Sequence, residues 1–365
     1  MRLVIKLGTS TVTDAAGAPD RGRLAALVRV LRALIDQGHA PVLVSSGAVA
    51  AGRMRRPDIT AGRDVPHKQM LAAIGQPLLM ALYGELFAAE GLAVAQVLLT
   101  HADVEHRRRY LNARTTLLGL LDAGVVPIVN ENDTLATAEI RVGDNDQLSA
   151  LVAGLVDAPL LILLTDQQGL YEADPRLHPD AALIERIDGE EIPESIWQAA
   201  GGGAGTLGTG GMLTKLKAAQ IARRAGTDTV IAHGGDPAVV ARLLAGEAIG
   251  TRIGALLAPR EARKRYILAG GRARGRIRVD AGAGAALRGD RSLLVVGVTG
   301  CEGGFGRGDT VEVEGQDGQP LARGIANYAQ AELERIAGRQ SGQIEAVLGY
   351  GYGPEAIHRN DLVLL

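Results

Sequence analysis

VVPIVNENDTLATAEIRVGDNDQLSALVAGLVD, residues 125–157, reads as a strand that runs on into a helix. Val125–Val129 is a short apolar run of the kind that forms a buried strand, and Gln147–Asp157 has amphipathic helical spacing. Between them lie two polar clusters, Asn130-Glu131-Asn132-Asp133 and Gly143-Asp144-Asn145-Asp146. Carboxylates and amides gathered at a strand end and a helix start suit polar chemistry. They could bind a metal, hold an amine or a lysine in place, or merely cap the helix.

The same pattern recurs outward from this stretch. Leu3–Leu7, Pro41–Ser45, Ala93–Leu99, Leu160–Thr165 and Thr229–Ala232 are further strand-like runs. Between the first two, Leu24, Leu27, Val28, Leu31, Leu34 and Ile35 share one helical face. Further helices are expected at 66–90, 105–122, 144–157 and 213–225. Strands alternating with helices predict an α/β fold, a three-layer sandwich whose mostly parallel sheet is covered on both faces.

The alternation stops near Pro259. Arg260–Arg276 is basic, carries glycines at 270, 271 and 275, and reads as a linker. Beyond it, Ile277–Val279, Leu293–Val298, Thr310–Val313, Ala322–Asn327 and Asp361–Leu364 read as strands of a small β-rich domain. The expected division is 1–258, a linker at 259–275, and 276–365.

Composition narrows the function. A chain of 365 residues suffices for two domains and a sizeable core. A formal charge of −2 supplies no global basic field for nucleic acid. Cys301, the single cysteine, cannot form an intrachain disulfide, which points to a reducing compartment. No apolar run approaches the roughly 18 residues of a membrane span, and no cleavable signal precedes the first strand. A cytoplasmic protein without a membrane partner is expected. The histidines at 39, 67, 101, 106, 178, 233 and 358 lack zinc-ligand spacing.

Ligands of open α/β sheets bind outside the carboxyl ends of the strands. Lys6, followed by Gly8-Thr9-Ser10, is either a phosphate contact or a solvated lysine. Ser45-Ser46-Gly47 either receives an anion at a helix start or caps the helix. Thr165-Asp166 is a ligand contact or an ordinary turn. Thr209-Gly210-Gly211-Met212-Leu213-Thr214-Lys215 is a phosphate loop with a lysine in the following helix, or a flexible glycine loop. It lacks the Walker A order, and the G-x-G-x-x-G of Gly203, Gly205 and Gly208 has no strand before it. Arg107-Arg108-Arg109 reads as a solvated or interface helix face rather than an RNA site.

Seven segments stand in order: VIKLGTS (4–10), VSSGAVAAG (44–52), YLNAR (110–114), VPIVNENDT (126–134), GDNDQLSALVA (143–153), LLTDQQGLY (163–171) and GTGGMLTKL (208–216). Together they resemble the amino-acid kinase family over most of residues 1–257, and within it the members that phosphorylate glutamate. The tail, with RGIANY (323–328) and IHRNDLVLL (357–365), resembles a PUA domain. The resemblance implies ATP-dependent phosphorylation of the γ-carboxylate of L-glutamate to γ-glutamyl phosphate, the first step of proline biosynthesis, with proline as inhibitor.

The resemblance also implies residue roles. Lys6, Asp146 and Lys215 would be catalytic, Asp146 holding the two lysines in position. Ser46, Asp133 and Asn145 would bind glutamate. Lys6, Thr165, Asp166 and the run Thr209, Gly210, Gly211, Met212, Leu213, Thr214 and Lys215 would bind ATP. Mg²⁺ would be held mainly through the nucleotide phosphates, with no dedicated protein metal site. Implied partners are a second copy in a dimer or tetramer and glutamate-5-semialdehyde dehydrogenase, with RNA at most an accessory ligand of the tail. A carboxylate nucleophile with a pKa of about 4.3 is already ionised near neutrality. Such a site needs cations rather than a general base.

Overall fold

The structure is a computed structural model that describes the chain apart from residues 61–64, 136–143, 176, 203–210 and 270–272. Side chains at 60, 144, 202, 263, 265, 266 and 269 also lie outside the description. The chain divides into two compact units, one of Met1–His106 with Asn112–Pro259 and one of Arg107–Leu111 with Arg260–Leu365.

The larger unit begins with β1 (Arg2–Leu7), α1 (Thr9–Val12), α2 (Arg21–Asp36), β2 (Ala40–Ser45), α3 (Ala48–Arg55) and α4 (Val65–Ala89). It continues with β3 (Ala93–Leu99), α5 (His101–Glu105), α6 (Arg107–Asp122) from Asn112 onward, β4 (Val125–Glu131), α7 (Asp144–Leu155) and β5 (Leu160–Thr165). Short strands β6 (Leu170–Tyr171), β7 (Leu183–Ile184) and β8 (Arg186–Ile187) follow, then α8 (Glu194–Trp197) and α9 (Met212–Arg224). It ends with β9 (Asp228–His233), α10 (Val239–Leu244) and β10 (Thr251–Ile253).

Eight strands form one sheet in the order β3-β4-β2-β1-β5-β9-β10-β8. All neighbours are parallel except β9 and β10. Side chains alternate along a strand, so β1 sorts its residues between two faces. Leu3, Ile5 and Leu7 join the core built with Leu24 and Leu31 of α2 and Leu79 and Phe87 of α4. Each such buried side chain contributes roughly 1.5–3 kcal/mol. Val4 and Lys6 take the opposite face, where α7 packs on β1 and β5 and against α9. The mostly parallel sheet with helices on both faces is the architecture the alternation predicts.

The helix expected at 105–122 is α6, and a short helix that the hydrophobic pattern does not mark, α5, precedes it. Asp103 accepts from the Thr100 backbone N–H at 2.8 Å and hydroxyl at 2.7 Å, which starts a short helix early. His106, extended at ψ 110°, then ends it. Among the described helices, α4 is long and apolar enough to cross a membrane by length and composition, although its apolar runs are broken by His67, Lys68, Gln69, Gln76 and Glu85. It packs instead on α2, α3 and β3.

The crossing of α3 and α4 runs through two glycines. A Cβ at Gly75 would lie 1.8 Å from the Ala48 carbonyl oxygen, and one at Gly52 would lie 1.9 Å from that of Leu71. Only hydrogen fits at either position.

The stretch read as a linker contains a helix, α11 (Pro259–Ala269). Proline suits a first helical position, and the Glu, Ala, Arg and Lys that follow are good helix formers. The second unit then has β11 (Gly275–Val279), α12 (Ala281–Arg288), β12 (Leu293–Leu294), β13 (Val298–Glu302), β14 (Thr310–Glu314) and β15 (Pro320–Ile325). It closes with α13 (Gln330–Ile336), α14 (Ile344–Leu348), β16 (Glu355–Ile357) and β17 (Leu362–Leu364). Its main sheet has the order β13-β11-β14-β15-β17 around a separate core that includes Ile277, Val311, Val313 and Tyr328. The run Leu293–Val298, expected as one strand, is broken by a 3₁₀ turn at Val295–Gly297. There a Cβ on Gly297 would sit 2.5 Å from that of Ala283, so the backbone passes α12 too closely for a regular pleat.

Candidate active site

Lys6 stands one residue from the end of β1, on the face covered by α7 and α9. Asp146 lies in the first turn of α7, and Lys215 in the first turn of α9. These separate elements bring their charges together. Lys6 Nζ is 2.6 Å from Asp146 Oδ1, and Lys215 Nζ donates to Asp146 Oδ2 at 3.3 Å. Exposure of Lys6, Asp146 and Lys215 is 6%, 1% and 6%, so water screens them little.

Hydrogen bonds fix the carboxylate and its partners. The Thr214 hydroxyl donates to Asp146 Oδ2 at 2.7 Å, and Ser149 Oγ donates to the Asp146 carbonyl at 2.5 Å. Lys215 Nζ also donates to the Gly211 carbonyl at 2.9 Å. Burial alone would push the Asp146 carboxyl up; the Lys6 and Lys215 charges outweigh it and hold it below the usual carboxylate range. Burial lowers the Lys215 ammonium against the opposing pull of Asp146. Asp166, just after β5, adds a weaker supporting field at Lys215. Two ammonium groups sharing one carboxylate form a cluster suited to an anion.

Gly8 borders this cluster: a Cβ there would lie 3.6 Å from Lys6 Nζ and 3.5 Å from the Leu164 carbonyl oxygen, both ordinary contact distances. Thr165 ends the neighbouring β5 and Asp166 follows it; Thr165 Oγ1 donates to Asp166 Oδ1 at 3.0 Å. Gly211, Met212 and Leu213 lead into α9. Thr209 and Gly210 lie outside the described residues, as does the earlier G-x-G-x-x-G stretch.

A second, uncharged group of side chains begins at Asn145, the neighbour of Asp146. Asn145 Nδ2 donates to Ser46 Oγ at 3.0 Å and to Asn130 Oδ1 at 2.9 Å. The Glu131 backbone N–H donates to Asn130 Oδ1 at 2.9 Å and to Asn145 Oδ1 at 3.2 Å. Asn130 Nδ2 donates in turn to Gln76 Oε1 at 2.8 Å. Ser46 sits between β2 and α3, where Gly47 takes φ +113°, a left-handed conformation that glycine adopts without strain. The preceding Ser45 shares a buried 2.7 Å hydrogen bond with the Tyr83 hydroxyl of α4. Burial raises the Tyr83 phenol well above its ordinary pKa, so it remains protonated.

The structure thus joins Lys6, Asp146, Thr214 and Lys215 in one cluster, and Ser46 with Asn145 in the other. Asp133 is half-buried in the turn after β4, closed by Leu135 N–H on the Asn132 carbonyl at 2.9 Å. The hydrophobic pattern marks neither Asn130 nor Gln76 by itself: Asn130 belongs to the polar cluster 130–133, whereas Gln76 sits inside an apolar helix, where its one signal is the triplet Gly75-Gln76-Pro77, poor company for the middle of a helix. Among the described residues, no group of three or more His, Cys, Asp or Glu is arranged to hold a metal ion.

Residues 1–233 match the amino acid kinase family, and residues 275–348 match the PUA domain. A protein of Deinococcus radiodurans named glutamate 5-kinase is 52% identical over 367 residues, covering 100% of both chains. Another of that name from Shewanella amazonensis is 51% identical over 366 residues, covering 100% of this chain and 96% of the relative. Among solved structures, a UMP kinase from Bacillus anthracis is similar over 69% of this chain and 95% of its own, with 16% identity and a TM-score of 0.49. A T. acidophilum isopentenyl phosphate kinase covers 69% of this chain and 100% of its own, with 19% identity and a TM-score of 0.45. On the family match and the full-length relatives, the chain belongs to the amino acid kinase family.

Proposed function

We propose that this chain transfers the γ-phosphoryl group of ATP to the γ-carboxylate of L-glutamate, the first step of proline biosynthesis. The observation that carries the reading is the pair of buried lysines held by one carboxylate, Asp146, whose neighbour Asn145 opens the neutral cluster. Relatives named glutamate 5-kinase, matched over the whole chain, support the choice of substrate.

The chemistry asks for such a cluster. Glutamate's side chain is already ionised near neutrality, so Asp146 need not act as a base. The barrier is the approach of one anion to another. Two unit charges about 4 Å apart repel by roughly 4 kcal/mol at an effective dielectric near 20. Lys6 contacts the phosphoryl group in flight, and Lys215 stabilises charge moving toward ADP. Asp146 orients both ammoniums without neutralising both. Thr165, Asp166 and the 209–215 loop hold the nucleotide. Ser46, Asp133 and Asn145 hold the amino acid. Mg²⁺ bound on the nucleotide phosphates supplies further positive charge.

The proposal extends to a cytoplasmic homo-oligomer, a dimer or tetramer, inhibited by proline. It further passes its acyl phosphate to glutamate-5-semialdehyde dehydrogenase. Residues 276–365 form the PUA-like domain in this reading, with RNA no part of the main activity.

The test is direct. Purified protein with ATP, Mg²⁺, L-glutamate and hydroxylamine should form the γ-hydroxamate, because hydroxylamine traps acyl phosphates. ADP release with aspartate, N-acetylglutamate, carbamate or UMP, but not with glutamate, would assign the chain to another acceptor.

A further inference from the structure

We infer that Gln76, on α4, is a positioning residue that sets the hydrogen-bonding polarity of the amino-acid site. The inference rests on the proposed glutamate site and deepens it. The argument starts from a group that cannot turn over. A side-chain amide can flip its oxygen and nitrogen, but the Glu131 backbone N–H is a fixed donor. It faces both Asn130 Oδ1 and Asn145 Oδ1, at 2.9 and 3.2 Å. Both oxygens must therefore point toward it, and both NH₂ groups must point away.

The remaining donors follow from that constraint. Asn145 spends its two N–H bonds on Ser46 Oγ and Asn130 Oδ1. Asn130 directs its Nδ2 at Gln76 Oε1, 2.8 Å away. Gln76 is thus the acceptor that ends the chain of amides. Without it, the Asn130 NH₂ loses its partner, and the orientation that holds Asn145 weakens.

This order decides what the site offers to a substrate. Asn145 Oδ1 accepts one hydrogen bond from Glu131 and has a second lone pair for another donor. An α-ammonium group is such a donor. The Ser46 hydroxyl accepts from Asn145, so its own proton is available for a carboxylate. Asn145 thus offers an acceptor and Ser46 a donor, the two kinds of group that an α-ammonium and an α-carboxylate require. With the amides reversed, the ammonium would meet an NH₂ group.

Two features hold Gln76 in place. It follows Gly75, whose backbone lies against Ala48 and Gly52 of α3. Two turns further along α4, Tyr83 bonds Ser45, the residue before Ser46. The same helix therefore braces the Asn145 side and the Ser46 side of the subsite.

The experiment compares Gln76→Met, which removes the acceptor at similar volume, with Gln76→Glu, which keeps an oxygen facing Asn130. Substrates are L-glutamate and glutarate, which lacks the α-ammonium group. Wild-type turnover of glutamate tests the parent reading in the same assay. With that established, Gln76→Met should raise KM for glutamate about five- to tenfold, the scale of one hydrogen bond. It should leave kcat and KM for ATP within about twofold. The preference for glutamate over glutarate should narrow, and Gln76→Glu should restore most of it. Gln76→Ala repeats the loss without added bulk if the Met variant fails to fold. An unchanged glutamate KM would overturn the assignment, as would an equal rise in the KM for ATP. So would a Glu variant no better than Met, or a glutamate/glutarate ratio that does not move.

Discussion

Asp146 and Asn145 are neighbours on α7, yet each anchors a different kind of structure. On the Asp146 side, three charges are buried together, and the two lysine charges hold the Asp146 carboxylate ionised against its burial. On the Asn145 side, hydroxyl and amide groups form a directional chain with no net charge. Buried charges are strong at short range but costly when unpaired. Neutral hydrogen bonds are weaker but fix which atom donates and which accepts. The ionic half is therefore suited to moving a phosphoryl group, and the amide half to distinguishing one substrate from another.

The largest effect expected from breaking this division is Asp146→Asn. It leaves two buried ammonium groups without their countercharge and should cost about 3–5 kcal/mol, read from urea unfolding. The acid dependence should change with it. The Asp146 carboxyl lies lower in the folded chain than in the unfolded one. Its stabilisation is thus complete above the unfolded value of about 3.9. It is lost as pH falls through the depressed folded value. The Asn variant should lack that component of acid sensitivity. A variant as stable as the parent would mean that the ionic half does not depend on its carboxylate.

Replacing either lysine comes next. Lys6→Ala and Lys215→Ala should each lower kcat about 10²–10³-fold, the scale of removing one preorganised transition-state donor. Near-normal turnover would remove that lysine from the chemistry. Because burial lowers the Lys215 ammonium, kcat/KM for ATP should fall on an alkaline limb below the ordinary lysine value of about 10.4. Lys215→Arg should move that limb upward, since guanidinium keeps its proton. A limb that stays in place belongs to another group.

The smallest effect sharpens the amide half. Gly75→Ala places a methyl against the backbone of α3 and should cost about 1–3 kcal/mol by overpacking. The displaced Gln76 should raise KM for glutamate more than KM for ATP. Equal rises would show that the two halves are mechanically one.

The same division explains what could be read from the sequence. The ionic half has its residues at strand ends and helix starts, and those places are marked by changes of hydrophobic period. Lys6 and Lys215 stand at such places. The joining of both lysines to Asp146 is not marked in this way, since spacing says nothing about contacts between residues 6, 146 and 215; family resemblance supplied it. The amide half depends on Gln76, whose helix shows a pattern dominated by apolar packing, so a single polar residue on it looked like ordinary surface. Short-range cues account for what the hydrophobic pattern does not show. A capping pair at Thr100 and Asp103 starts a short helix ahead of the expected one, and the basic stretch after Pro259 has the composition of a linker but the propensities of a helix.

The crossing at Gly52 and Gly75 acts as a keyway as well as a packing contact. Side-chain contacts can slide by exchanging rotamers; backbone seated on backbone has none to exchange. A slip of one residue in α4 would carry Gln76 about 1.5 Å along the axis and about 100° around it. It would also drive a side chain into the slot that only glycine fits. Axial indexing of α4 is therefore set at a point of contact one residue away from the amide it must deliver.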